Sequence, residues 1–185
     1  MTVYFYEIKI PKERIAVLIG KDGKTKKQIE EQTKTKIKIN SQEGDVSVSG
    51  EDAINLYTTR ELIRAIGRGF NPEIAQLLLK SDYLFDIIRL NDIAKTKNDL
   101  VRLKGRVIGR EGKCRRYIEE LTDTHISVYG KTISIIGEAQ NVSICRRAIE
   151  SLLKGSSHGN VYKWLEKQRK EIKKRELIGK EIDEK

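Results

Sequence analysis

Apolar and charged residues alternate from Tyr6 to Ile10, behind a β-branched and aromatic run that begins at Val3. The pattern predicts a strand over 3–10 with one buried face. Pro11 closes it, since proline leaves the ladder but suits a helix start. Ile15, Leu18 and Ile19 recur at spacings of three and four, predicting a short amphipathic helix over 12–19. The stretch Gly20–Gly23 interrupts it, and a second helix is expected over 24–34 with Ile29 as its apolar anchor. Lys36-Ile37-Lys38-Ile39-Asn40 alternates strictly, so its isoleucines are expected to face inward. After a loop over 41–44, Val46-Ser47-Val48 alternates again and Gly50 ends that strand. A long helix over 51–66 is expected to turn Ile54, Leu62 and Ile66 inward.

The second half follows the same order. Asn71-Pro72 signals the start of a short connecting helix over 73–79. A strand is predicted over 83–90, a helix over 98–108 and another over 113–121. Ile126-Ser127-Val128 and Ile133-Ser134-Ile135-Ile136 read as strands joined tightly at Gly130-Lys131, and a helix over 138–153 closes the unit. Residues 155–160 read as a loop, and 161–177 as a largely charged helix on which Trp164 and Leu165 dock against the body.

This β-α-α-β-β-α order occurs twice because the sequence itself repeats. Ile19-Gly20-Lys21-Asp22-Gly23-Lys24 aligns with Ile108-Gly109-Arg110-Glu111-Gly112-Lys113 at an offset of 89 residues. The frame extends past the glycines: Ile29 falls on Ile118, Glu30 on Glu119, Thr33 on Thr122, Thr35 on Thr124 and Ile37 on Ile126. The offset drops to 87 between Gly50 and Gly137, so the loop between the last two strands is two residues shorter in the second copy. An α+β chain of two small domains is expected, each a three-stranded sheet covered on one face by three helices, followed by a C-terminal helix. The boundaries fall at 1–70, 71–82, 83–154 and 155–185.

Composition narrows the function. The chain has 185 residues and a net charge of +10, from 37 Lys+Arg against 27 Asp+Glu, which favours an anionic partner. No apolar run approaches the ~20 residues of a membrane span. The N-terminus enters a strand directly, without a secretory signal pattern, so a cytoplasmic protein without membrane contact is expected. Cys114 and Cys145 lack zinc spacing and read as free thiols.

The repeated turn supplies a site for the charge to act through. Glycines at its first and fourth positions allow close backbone approach. The helix that follows presents unpaired N–H groups and the positive end of its dipole, which attract phosphate. The candidate RNA-binding residues are Gly20, Lys21, Asp22, Gly23, Lys24, Lys26 and Lys27 in the first copy. In the second they are Arg106, Gly109, Arg110, Glu111, Gly112, Lys113, Arg115 and Arg116. Asp22 and Glu111 oppose part of the attraction, but each local balance stays positive. Between the turn and the middle strand in chain order lies a groove whose floor is expected to be apolar, with Ile126 and Val128 in the second copy. A phosphate clamp over such a floor suits single-stranded nucleic acid with splayed bases. The second site is expected to be the stronger, since Lys113, Arg115 and Arg116 begin its helix and Arg102, Lys104 and Arg106 precede it.

The element order and the Ile-Gly-x-x-Gly turn resemble two tandem type I KH domains, over about residues 3–70 and 83–154. Lys26 and Arg115 depart from that pattern, which places an apolar residue there. With Gly105-Arg106-Val107-Ile108 through Thr122, Val128-Tyr129-Gly130-Lys131 and His158-Gly159-x-Val161-Tyr162, the chain resembles the partner-of-Nob family, the archaeal Dim-type proteins. The resemblance implies a small-ribosomal-subunit assembly factor that binds pre-ribosomal RNA near the 3′ end of the small-subunit RNA. It also implies two protein partners: the Nob endonuclease that matures that end and the alpha subunit of translation initiation factor two.

Other classes remain. Gly23-Lys24-Thr25 resembles the end of a nucleotide-binding loop, but that pattern needs glycine where Leu18 and Val107 stand, and the second copy has Cys114 in place of Ser/Thr. No catalytic triad or clustered carboxylates are visible, and neither His125 nor His158 has a companion for catalysis or metal. No enzyme and no cofactor are expected. The alternatives are a KH-type protein–protein adaptor in translation initiation and a nucleotide-dependent enzyme.

Overall fold

A computed structural model describes residues 3–183. The first unit runs β1 (Tyr4–Lys9), α1 (Lys12–Ile19), α2 (Lys24–Thr33), β2 (Lys36–Asn40), β3 (Asp45–Gly50) and α3 (Ala53–Gly67). A connecting turn, α4 (Pro72–Ala75), continues as a 3-10 segment over Gln76–Leu79. The second unit runs β4 (Tyr83–Arg89), α5 (Lys97–Ile108), α6 (Lys113–Thr122), β5 (His125–Tyr129), β6 (Thr132–Glu138) and α7 (Ala139–Leu153). A final helix, α8 (His158–Asp183), follows. None of the helices, among the described residues, is long and apolar enough to cross a membrane.

Each unit has one antiparallel sheet, ordered β1-β3-β2 and β4-β6-β5. The strand that is central in chain order, β2 or β5, is therefore an edge strand, with β3 or β6 between the others. Alternation sets the faces. Val48 lies between Tyr6 and Ile37, and Val46 between Ile8 and Ile39, all on the helical side. Phe5, Ser49 and Lys36 form a row on the opposite, open face.

Two cores result. Ile15, Leu18, Ile29, Ile37, Val48, Leu56, Leu62 and Ile66 fill the first. Leu103, Val107, Ile118, Ile126, Ile133, Ile135, Ile149 and Leu152 fill the second. A buried polar relay accompanies each. The Thr33 hydroxyl donates to the carbonyl of Ile29 and lies 2.8 Å from the Thr35 hydroxyl, which reaches Thr59. Thr122 and Thr124 repeat the first two steps, and Cys145 takes the place of Thr59. Burial pushes the Cys145 thiol up to about 12, and it pushes Cys114 up as well, so both stay protonated. Both cysteines are free and buried.

Two expectations are corrected. Ile54 points outward at 77% exposure, whereas Leu56, Leu62, Ile63 and Ile66 are buried. At about 100° per residue the stripe through residues 56, 59, 63 and 66 leaves position 54 on the far side. The expected loop over 155–160 stops at Ser157, because His158 already begins α8. On that helix Val161 and Leu165 are buried against α6 and α7, while Trp164 is half-buried under the guanidinium of Arg147.

The units pack on each other. Ile136, on the outer face of the second sheet, is fully buried in the first unit's cluster, beside Phe70, Tyr83 and Phe85. The Ser127 hydroxyl donates to the carbonyl of Arg68 at 2.8 Å, and the Tyr129 hydroxyl donates to the Glu13 carboxylate. A Cβ on Gly69 would lie 2.6 Å from the Ser127 hydroxyl, so the 68–70 backbone lies directly on β5.

Candidate nucleic-acid interface

The two turns share one backbone. Gly20 and Gly109 have φ of 73° and 71°, Asp22 and Glu111 of 54° and 53°, and Gly23 and Gly112 of 74° and 73°. The acidic residues thus sit in the left-handed region, which Asp tolerates better than most. The two glycines serve different ends. A Cβ on Gly20 would lie 2.1 Å from the Thr25 hydroxyl, and one on Gly109 would lie 2.6 Å from Cys114 Cβ and 2.9 Å from its N. The protein's own next helix therefore demands the first glycine. Around Gly23 and Gly112 no atom lies within 4 Å of such a Cβ, so the fourth position faces open space.

Helices α2 and α6 begin immediately there, with Gly23 and Gly112 at the cap and no side chain accepting from the first N–H groups. The Lys24 and Lys113 N–H groups donate to the carbonyls of Lys21 and Arg110, which leaves the N–H groups of the next residues and the positive end of the helix dipole for a ligand. An anion fits.

Around the first turn Lys21, Lys24 and Lys27 are exposed. Around the second, Arg110, Lys113 and Arg116 are exposed, and Arg116 Nη2 donates to the carbonyl of Glu111 at 2.9 Å. Arg116 thereby braces the turn and keeps its charge there. Lys113 lies 3.8 Å from the Glu111 carboxylate, with both side chains above 70% exposed, an ion pair worth little in water.

Lys26 and Arg115, the residues that break the KH pattern, have a common partner arrangement. Lys26 lies 3.9 Å from Glu30 and Arg115 lies 3.7 Å from Glu119, one helical turn on. The same carboxylates accept the backbone N–H of Ile37 at 2.7 Å and of Ile126 at 2.6 Å. Each acid ties the helix to the free edge of β2 or β5, and each cation flanks it. The repeat of Glu30 at Glu119 is the sequence signal for this tie; its role becomes readable only once the edge strand is known.

Two candidates change role. The Arg106 guanidinium is turned away from the groove, donating from Nε to the Leu152 carbonyl at 2.9 Å and from Nη2 to the Ser156 carbonyl at 2.7 Å. It satisfies the carbonyl end of α7 and fixes the α7–α8 connection, with His158 Nε2 2.8 Å from its own carbonyl. Ile126 is 4% exposed and lies in the core, so its side chain offers no floor to a base; alternation puts it on the helical side with Ile135. Val128, its neighbour on that face, is half-buried.

Sequence reasoning also missed the cover on α6. The Tyr117 hydroxyl donates to Glu166 of α8 at 2.7 Å, and the Tyr117 and Tyr162 rings meet edge to face at 4.7 Å. Burial raises the Tyr162 hydroxyl's pKa, and its bond to Cys114 adds to the rise. In the first copy Gln28 stands at the position of Tyr117 and reaches only Gln76 of the connecting segment.

A turn of this form between two helices, laid against the edge of a β-α-α-β-β-α sheet and present twice, defines a tandem type I KH protein. A family model described as "KH domain" matches residues 5–65, and one described as "Eukaryotic type KH-domain (KH-domain type I)" matches residues 84–170. The chain is 48% identical to a KH domain-containing protein of Methanocaldococcus jannaschii over 171 residues, covering 90% of this chain and 75% of that one. It is 28% identical to the pre-rRNA-processing protein PNO1 of Yarrowia lipolytica, spanning 63% of that protein's length and 84% of its own. It is 47% identical to a crystal structure of a complex of a/eIF2alpha, aDim2p and rRNA from Pyrococcus horikoshii, with a TM-score of 0.86 over 91% of this chain and 96% of that one. The chain belongs to the Dim2/PNO1 family of KH-domain proteins.

Proposed function

We propose that this chain binds single-stranded ribosomal RNA and acts as a small-subunit assembly factor, presenting pre-rRNA near the 3′ end of the small-subunit RNA to another protein that cleaves it. The observation that carries the reading is the second turn: an uncapped helix N-terminus opening onto empty space at Gly112, flanked by Arg110, Lys113 and Arg116. Its support from relatives is the rRNA-containing Pyrococcus complex and the pre-rRNA-processing Yarrowia protein. The protein contributes binding and no bond cleavage. Its proposed partners are a Nob-type endonuclease, from the family resemblance, and the alpha subunit of translation initiation factor two, which the Pyrococcus complex holds. The proposed setting is the cytoplasm.

Replacing Arg110 and Glu111 together by aspartate tests the site. Aspartate is acceptable at the left-handed third position, since Asp22 already occupies it in the first copy. The change puts a net negative pair where a phosphate sits, so affinity for a single-stranded RNA of the 3′-end sequence is expected to drop at least ~10-fold while the melting curve stays put. Log affinity of the parent should fall with log salt at a slope of about 0.7 per phosphate contact. An unchanged titration removes the second turn from the site, and a flat salt response points to a protein partner instead.

A further inference from the structure

A second cationic site lies away from both turns, in the cleft between the units. It has a volume of about 750 Å³ and is walled by α3 on one side and by the uncovered end of the second sheet's outer face on the other. Tyr57, Arg64 and Arg68 come from the first wall, and Phe85, Arg89 and Lys131 from the second.

The charges in it are unequally satisfied. Arg64 is bound to Glu61 at 2.7 Å, and Asp86 is taken up by Arg146 from α7 at 2.6 Å. Arg68, Arg89 and Lys131 are exposed, and none has a carboxylate within 4 Å among the described residues. Against these three stands Asp92 of the same wall, which has no salt-bridge partner among the described residues. A polar cleft with surplus cations takes an anionic ligand.

Its position says which. The turn Gly130–Lys131 separates the cleft from the groove beside α5 and α6: Lys104 of α5 donates to the Gly130 carbonyl at 3.1 Å from the groove side, while Lys131 lines the cleft. This turn is two residues shorter than its counterpart in the first copy, so the wall between groove and cleft is low. Lys131 stands at this turn, and Arg89 and Arg68 line the cleft with it.

We propose that the interdomain cleft is a second phosphate-binding site, which receives the backbone of the same RNA strand where it leaves the second groove. The inference rests on the reading of that groove as an RNA site. The cleft holds phosphates through point charges and a guanidinium from each unit, so it adds affinity and track length without reading sequence. Tyr57, 53% exposed at its rim, gives a ring on which one base can stack.

The test replaces Arg68, Arg89 and Lys131 together by alanine. The hydrogen bonds of Arg68 and Lys131 are made by backbone groups, the Arg68 N–H to the end of α3 and the two carbonyls as acceptors from Ser127 and from Leu90 N–H, so the exposed side chains can go without loss of the fold. Fluorescence anisotropy compares a single-stranded RNA of about five nucleotides, enough for one KH groove, with one of about fifteen. The triple variant is expected to bind the short RNA like the parent and the long RNA roughly tenfold more weakly. Its salt slope on the long RNA should fall by about 2, for three lost contacts at ~0.7 each. Equal affinity and slope on the long RNA overturn the proposal, and so does an equal loss at both lengths, which would place the three cations in the groove. The aspartate pair at 110 and 111 serves as the control. If it leaves short-RNA binding intact, the groove reading fails, whereas the length-dependent loss reports on the cleft alone.

Discussion

The outer faces of the two sheets occupy equivalent places in the repeat and have opposite fates. In the first sheet the central strand turns Ser47 and Ser49 outward, between Glu7 and Lys38 and between Phe5 and Lys36. In the second the same row positions hold Ser134 between Ile87 and Ser127, and Ile136 between Phe85 and His125. One exchange, serine for isoleucine at the centre of the face, accompanies the difference between a solvated sheet and one on which the other unit sits. Phe5 stays 58% exposed, while Phe85 meets Phe70 edge to face at 6.2 Å. A duplicated fold has therefore become asymmetric through the residues that alternation sends away from the core.

The comparison breaks most sharply at Ile136. Placing aspartate there buries a carboxylate at a position with 0% exposure, among Phe70, Tyr83 and Phe85. A loss of about 4 kcal/mol or more is expected, as for other unpaired charges forced into a core. Ser49→Asp, at the matching position on the open face, should stay within ~0.5 kcal/mol of the parent. Urea denaturation of the two variants reads both. Equal losses would mean that the units do not pack through this face.

The sequence carries part of this asymmetry in the open. Ile133-Ser134-Ile135-Ile136 ends on two adjacent isoleucines, and adjacent apolar residues in a strand signal burial on both faces. The turns were legible because their geometry is local: glycine spacing and a following helix suffice. Less legible were contacts made across the chain. Arg106 reads as a groove cation by its neighbours, yet its acceptors, Leu152 and Ser156, are 46 and 50 residues away. Arg14 makes the equivalent bonds in the first unit, to Ile66 and Phe70, from a different helical position. The acceptors align in the repeat and the arginines do not, so no offset could have revealed the pair. Ile126 illustrates the converse: alternation already assigned it to the core side, and only the expectation of a groove floor moved it outward.

The turns themselves should respond alike in both copies, because their strain is local. Gly20→Ala and Gly109→Ala each push a Cβ into the helix that follows, at 2.1 and 2.6 Å from its nearest atom, and also force φ near +70° on alanine. Together the left-handed backbone and the overlap are expected to cost about 2–4 kcal/mol. Gly23→Ala and Gly112→Ala meet open space and bear only the backbone strain, about 1 kcal/mol. The binding effects should invert this order: at Gly112 a methyl stands where the phosphate approaches, so RNA affinity falls in a protein that still melts near the parent. Thermal melting and RNA titration of the four variants separate the glycine that packs from the glycine that binds. A Gly109 variant as stable as its Gly112 counterpart would show that the next helix does not press on the first position.

The smallest expected effect lies at the rim of the interface, where Tyr129 of the second unit donates to Glu13 of the first. That bond is the main cause holding the Glu13 carboxyl below its ordinary value, and the same bond raises the Tyr129 hydroxyl. A carboxyl with a depressed folded pKa stabilises the folded state above its unfolded pKa, and loses that contribution as pH falls through the folded one. The window therefore lies below about pH 4.3, the ordinary glutamate value, and the neutral-pH stability should be flat with respect to this group. Tyr129→Phe removes the donor and leaves the ring on Gly69, so carbon-detected NMR of the Glu13 carboxyl should show its midpoint move up toward the ordinary value. The small stability gap between parent and variant at pH 6 should then close as the acid limb is descended. If Glu13 titrates at the same pH in both proteins, the hydroxyl is not bound to it in solution, and the two units meet through Ile136 and the 68–70 backbone without this contact.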